Sequence, residues 1–394
     1  MIAAIVLTGL TMRIAVTSVG SVLDDLQLGL HASSGIAGII TTLPVIAFAG
    51  MGFAGPALAH RFGEHQLVAL ALLLATLGLA ARAAAGSVWL FGLLSLLALA
   101  GGAIANVLMP TLVKRHFPDR IGPMTAAYTT SLAIGSTAAA GLSVPVAHAL
   151  GSWRWGVGVW AVLTAVAILP WLPTLRGDRP AAAGTVHRLP IARLARTKLG
   201  WAMVLMFGTQ SMQAYIAFGW FAKFFRDHHV RATEAGLLVA FYASLAIPIS
   251  AFIPNLAARF PRGLVLVLAV TNAACYLGML LAPAGGAWGW MLLGGIGSGF
   301  FPLSLTLIGL RSRQIPVTAA LSAFTQGLGY IIAGSGPLLV GLLLDVTGDD
   351  WTGPVLLLLA ANAVTSAFAW YLTRNRFVDD ELAVTDLHLL SSRA

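Results

Sequence analysis

Twelve apolar segments, most of them twenty or more residues long, set the terms for this chain. They fall at roughly 2–26, 33–59, 66–86, 88–113, 122–150, 153–172, 199–225, 234–258, 263–283, 288–310, 317–345 and 351–373. A hydrocarbon core about 30 Å thick is crossed by about 20 helical residues. Inside it each backbone polar group must be satisfied within its own segment, which an α-helix does. Only 9% of the 394 residues are charged and 58% are hydrophobic, where soluble globular domains run near 25% charged. The chain therefore reads as an all-α integral membrane protein with twelve transmembrane helices and the lipid bilayer as its solvent. The first run carries no small-residue cleavage site and reads as a retained span, not a signal peptide. The single cysteine, Cys275, rules out disulfides within the chain and cysteine-based metal clusters.

Connections are short except 173–198, which is polar and basic and divides the segments six and six. The expected organisation is a six-helix bundle over 1–172, a linker over 173–198, a second bundle over 199–373 and a tail over 374–394. Charge sets the orientation. With both termini cytoplasmic, seventeen Lys and Arg residues fall on the cytoplasmic side, among them Arg61, Lys114, Arg115, Arg176, Arg179, Arg188, Arg259, Arg311, Arg313 and Arg393. Four (Arg82, Arg154, Arg226 and Arg231) fall outside. That bias is the positive-inside pattern, so the net charge of +9 points to topology and not to a nucleic-acid partner. The halves also repeat. Pro56-Ala-Leu-Ala-His-Arg61-Phe62 matches Pro254-Asn-Leu-Ala-Ala-Arg259-Phe260, and Ala37-Gly-Ile-Ile matches Ala235-Gly-Leu-Leu at the same offset. Parallel six-helix repeats of this kind form transporters with a mid-membrane site at the repeat interface.

Polar groups inside the spans carry the functional reading, because each costs free energy there. Arg13 lies about 18 Å along the first helix at ~1.5 Å per residue, near the membrane centre. Thr17, Gly20, Ser21 and Asp24 align with it as one polar stripe, and Asp24 is too distant to neutralise it. Such a charge faces a wet cavity, a partner or an anionic ligand. Other candidates are Asn106 in helix 4, Tyr128 in helix 5, Gln210, Gln213 and Trp220 in helix 7, and Gln326 and Tyr330 in helix 11. Ser131, Gly135 and Gly141 read as close helix packing. The glycines around Gly327–Gly336, with Pro337, make helix 11 easy to bend. Lys223 reads either as snorkelling near a helix end or as a charge drawing anions inward. Trp89, Trp153, Trp155, Trp288 and Trp351 read as an interfacial aromatic belt. His60, His65, His116, His228 and His229 read as solvated loop residues.

No carboxylate falls deep in any span, and neither a Walker lysine motif nor an HExxH site nor a nucleophile–His constellation is present. The expectation is a chain with no catalytic residues, no metal and no cofactor, whose partner is a small solute, acting as a monomer.

Twelve helices in two repeats, with Pro56–Glu64 as a degenerate Gly-x-x-x-Asp-Arg-x-Gly loop after helix 2, resemble the major facilitator superfamily. His60 stands where that motif has Asp. Within the superfamily, Gly9-Leu-Thr-Met-Arg13 … Thr17-Ser-Val-Gly20 resembles the Asn-x-Arg-Pro … Thr-Ser-Val-Gly signature of the cyanate and nitroimidazole transporter family. Met109-Pro110, Lys114-Arg115, Ala217–Trp220 and Phe324–Gly334 add to the likeness, while Thr11 and Ile14 depart from it. The resemblance implies two pseudo-symmetric six-helix bundles in a bacterial inner membrane. It also implies alternating access and a small polar or anionic solute. Arg13 would hold that solute, and loops bearing Arg61 and Arg259 would gate the cytoplasmic side. Two other readings stay open: an exporter of neutral aromatic solutes or nitro-heterocycles in which Arg13 is structural, and a membrane receptor that transports nothing.

Overall fold

The computed structural model describes residues 1–30, 34–175, 190–348 and 350–383; Arg176, Arg179 and Arg188 of the linker and Arg393 of the tail lie outside them, as do the side chains of Ser21 and Asp24. Two compact units emerge, one made of Met1–Asp119 and Ala127–Arg188, the other of Arg120–Ala126 and Leu189–Ala394. Among the described residues eleven segments are long and apolar enough to cross a membrane. The 30-residue helix Lys198–Asp227 is long enough too, but Gln210 and Gln213 lower its mean hydropathy.

In the first unit the first predicted span is three pieces, α1 (Ile2–Thr11), α2 (Ile14–Ser21) and α3 (Leu23–Leu30). Single helices follow: α4 (Ser34–Phe62), α5 (Glu64–Ala83), α6 (Val88–His116) and α7 (Ile121–Ala149), of which α7 belongs to this unit from Ala127 onward. The sixth span is again segmented, as α8 (Trp153–Gly158), α9 (Trp160–Ile168), a 3₁₀ turn at Leu169–Trp171 and α10 (Leu172–Leu175). Ser87 caps α6 by accepting from the Leu90 N–H. Helices touch where side chains are absent: a Cβ on Gly78 would stand 2.6 Å from the Ala98 nitrogen, so α5 and α6 meet backbone to backbone. Apolar residues such as Ile14, Leu79, Leu99 and Trp160 fill the interior, while Leu77, Leu93 and Val162 point outward, as a lipid-facing surface requires.

The second unit contains α11 (Ile191–Leu194), α12 (Lys198–Asp227), α13 (Ala232–Ser244), α14 (Ala246–Arg259), α15 (Pro261–Leu281), α16 (Ala287–Gly297), α17 (Phe300–Leu310), α18 (Ile315–Thr347) and α19 (Thr352–Leu372). The predicted spans at 234–258 and 288–310 are thus each split, whereas α18 runs unbroken for 33 residues through its glycines and Pro337. Thr197 caps α12 by accepting from the Gly200 N–H, and Gly348 ends α18 in the left-handed region at φ 68°.

Part of the predicted tail belongs to this unit's fold. Residues 378–383 are helical, with Val378 and Leu382 buried. The Asp379 carboxylate accepts from the backbone N–H groups of Arg313 (2.8 Å) and Gln314 (3.1 Å) at the start of α18. Glu381 accepts from the Leu199 N–H (3.1 Å) at the start of α12, and Asp380 pairs with Arg313. Two carboxylates therefore sit on two helix N-termini, where partial positive charge favours them. The Asp379→Ala, Glu381→Ala double variant is expected to lose about 1–4 kcal/mol, at roughly 0.5–2 per cap. The readout is a lower thermal unfolding midpoint in detergent.

Candidate functional site

The site begins at the interruption between α1 and α2. The Thr11 hydroxyl donates to the Thr8 carbonyl at 2.9 Å, the acceptor that the Met12 N–H would use in a continuing helix. That N–H turns instead to Gly9 O at 3.4 Å. Arg13 then adopts φ −119°, ψ 0° and becomes the N-cap of α2. Its carbonyl collects the N–H groups of Val16 (3.0 Å) and Thr17 (3.1 Å) and the Thr17 hydroxyl (3.2 Å). The Thr8 hydroxyl is itself held by Trp171 Nε1 at 2.9 Å. Arg13 is half-buried, at the end of α2 whose unpaired N–H groups favour negative charge.

Glycines on two neighbouring helices receive this interruption. A Cβ on Gly102 of α6 would come 2.5 Å from Met12 O, and one on Gly135 of α7 would come 2.7 Å from the Leu10 carbonyl carbon. A Cβ on Gly9 would in turn come 2.7 Å from Tyr128 O. Asn106 lies one turn beyond Gly102, and Tyr128 two turns before Gly135, each on the same helix face as its glycine. Both are essentially inaccessible. The first unit therefore packs the backbone just before Arg13 against the two helices that carry Asn106 and Tyr128. Gly141, expected to mark close packing, meets nothing within 4 Å.

The second unit treats its candidates unequally. Gln213 is fully engaged: its Nε2 donates to Thr209 O (3.1 Å) and Thr365 Oγ1 (3.0 Å), and its Oε1 accepts from the Tyr276 hydroxyl (3.0 Å). This buried network joins α12, α15 and α19. Gln210 Nε2 donates to Ser211 Oγ at 2.6 Å. On α18, Gln326 Nε2 donates to Ser322 Oγ at 2.8 Å, and Tyr330 packs edge-on against Phe207 with ring centroids 5.2 Å apart. Trp220 stands apart, about 15 Å along α12 from Gln210. It packs against Gly341 and lies 6.3 Å from the Trp351 ring.

Several end-of-helix residues depart from expectation. Lys223 Nζ pairs with Asp227 at 2.6 Å, and Trp351, buried and not part of a lipid-facing belt, donates to the same carboxylate at 3.0 Å. His65 and His116 are not solvated loop residues. They sit in the first turn of α5 and the last turn of α6 with their Nε2 atoms 2.8 Å apart, beside the Glu64–Arg115 ion pair. Arg61 and Arg259 are exposed in the last turns of α4 and α14. Arg82, counted among outside charges, is wholly buried within the first unit.

A family model described as the Major Facilitator Superfamily matches residues 4–334. An uncharacterized transporter of Bacillus subtilis, YycB, is 36% identical over 96% of this chain and 94% of its own length. The 2-nitroimidazole transporter of Escherichia coli is 32% identical over 90% of this chain and 91% of its own. The cyanate transport protein CynX of the same organism is 28% identical over 94% and 97%. Among solved structures, the proton:xylose symporter XylE superposes with a TM-score of 0.77 at 13% identity, over 97% of this chain and 98% of that one.

Proposed function

Since the chain belongs to the major facilitator superfamily and is a multi-pass membrane transporter, we propose that it carries a small anionic or polar solute by alternating access, held by the Arg13 guanidinium. The observation that carries this reading is the helix interruption at Met12–Arg13. Broken helices in transporters aim their half-helix N-termini at anionic substrate groups. Here the interruption adds a full positive charge, and an arginine held near the membrane centre costs several kcal/mol, which an anionic or strongly accepting solute offsets. Cyanate is a linear monovalent anion, and a nitro group offers two acceptor oxygens. A planar guanidinium fork suits either by charge-assisted hydrogen bonds.

Thr17, Asn106 and Tyr128 complete the contacts supplied by the first unit. Within the second unit Gln210, Gln326 and Tyr330 are the polar groups offered for solute contact, while Gln213 and Trp220 contribute by fixing α12. Arg61 and Arg259 gate the cytoplasmic side, and the charge bias supports an orientation with both termini there, in a bacterial inner membrane. The name of one relative favours a second reading, a carrier of neutral nitro-heterocycles in which Arg13 is structural.

A thermal-shift series on the purified protein separates these. A solute at one hundred times its Kd raises stability by about 2.7 kcal/mol through mass action. The expected result is stabilisation by cyanate or another small anion, lost in Arg13→Ala. Stabilisation by 2-nitroimidazole that survives Arg13→Ala favours the second reading, and no response to any anion defeats the first.

A further inference from the structure

Arg82 has no place in the site as described, yet it is fully buried in the last turn of α5. Its Nη1 donates to Ala15 O at 2.9 Å and its Nη2 to Ser18 Oγ at 2.8 Å. The Phe91 ring lies 5.7 Å from its Cζ, and Nε has no partner. Among the described residues no carboxylate pairs with it. Both acceptors belong to α2, the short helix that Arg13 caps.

A clamp between two apolar helices needs no charge. A buried cation without a counter-ion gains less than it costs, and an apolar side chain of similar volume is often neutral or stabilising in its place. Removing Arg82 orphans nothing either: Ser18 Oγ still donates to Ile14 O at 2.7 Å, and Ala15 O lies inside a helix. What only the guanidinium supplies is geometry. A rigid fork on two acceptors one turn apart fixes both the rotation and the height of α2. Because α2 spans only eight residues, from Ile14 to Ser21, and is broken at both ends, its rotation is set from outside.

We propose that Arg82 is a positioning residue for solute binding: its fork sets the rotation of α2 and thereby the direction in which Arg13 is presented. The second half of this statement rests on Arg13 being the group that holds the solute; the first half does not, and the two are tested separately. Val16 of α2 is half-buried. In a Cys275→Ala background, Val16→Cys is labelled with a small thiol reagent in proteins with Arg82 and with Arg82→Met. A labelling rate changed several-fold is expected, and an unchanged rate overturns the proposal whatever the solute.

The second arm measures uptake of radiolabelled cyanate into proteoliposomes together with the thermal midpoint. Arg82→Met is expected to keep its midpoint while KM rises about tenfold with Vmax little changed, the pattern of lost binding and not of lost fold. Arg82→Lys recovers part of this. Adding Arg82→Met to Arg13→Ala costs nothing further, because coupled groups are not additive. A midpoint that falls in step with uptake, or effects that multiply in the double variant, overturns the positioning role. If Arg13→Ala takes up cyanate like the parent, the Arg13 reading fails, and the labelling arm alone decides whether Arg82 sets α2.

Discussion

Arg13→Ala is expected to lower the initial rate of anion uptake into proteoliposomes by about a hundredfold or more. Each charge-assisted hydrogen bond contributes roughly 1.5–3 kcal/mol, and a guanidinium holding a solute through both arms of its fork supplies two. A loss of about 3 kcal/mol corresponds to somewhat more than a hundredfold at about 1.4 kcal/mol per tenfold. Arg13→Lys is expected to fall between, since an ammonium keeps the charge but gives up the fork. The backbone interruption does not depend on the side chain. It is set by the Thr11 hydroxyl on Thr8 O and by Gly102 against Met12 O, so the alanine variant keeps its fold. A normal thermal midpoint with uptake lost is the expected pair of results. Uptake retained within about threefold of the parent, roughly 0.7 kcal/mol, would remove Arg13 from the binding role.

The membrane-spanning plan was legible because its physics is local to each segment. A bilayer imposes length and apolarity one span at a time, and Pro56–Phe62 against Pro254–Phe260 showed the repeat directly. The interruptions were not legible for the same reason. Thr11-Met12-Arg13-Ile14 contains neither proline nor glycine, and its break depends on the Thr8–Thr11 hydrogen bond and on glycines of α6 and α7 far away in sequence. Conversely α18 has every local licence to break and stays continuous, because Gly329 and Gly336 are spent on close approach to Phe207 and Met212 of α12. Arg82 was misplaced for a related reason. Being near a span's end in sequence fixes the backbone, but a long side chain reaches inward, here to α2. A sign of the strap over 378–383 was available in Phe377-Val378 and Leu382 flanking three acidic residues. Polarity there masked the fact that carboxylates can seat on helix N-termini.

The glycines that receive the interruption give the other large effect. Gly135→Val is expected to prevent recovery of stable protein, and Gly135→Ala to lower its thermal midpoint markedly. A Cβ at 135 would stand 2.7 Å from the Leu10 carbonyl carbon and 3.0 Å from its Cα, closer still to its oxygen. The obstacle is backbone, which cannot swing aside as a flexible side chain does. Overpacking in such a site costs typically about 1–3 kcal/mol and more where backbone must move. The reciprocal contact of Gly9 with Tyr128 O ties α1 to α7 at a second point, so a shift at one displaces the other and carries Met12 and Arg13 with it. The control lies on the same helix. Gly141 is exposed with open space around it, so Gly141→Val, equal in volume and in its backbone preference, is expected to leave the stability within about 0.5 kcal/mol of the parent, as for surface substitutions generally. Equal damage at both positions would show that valine harms α7 through helix propensity, and that α1 does not need its close seat on Gly135.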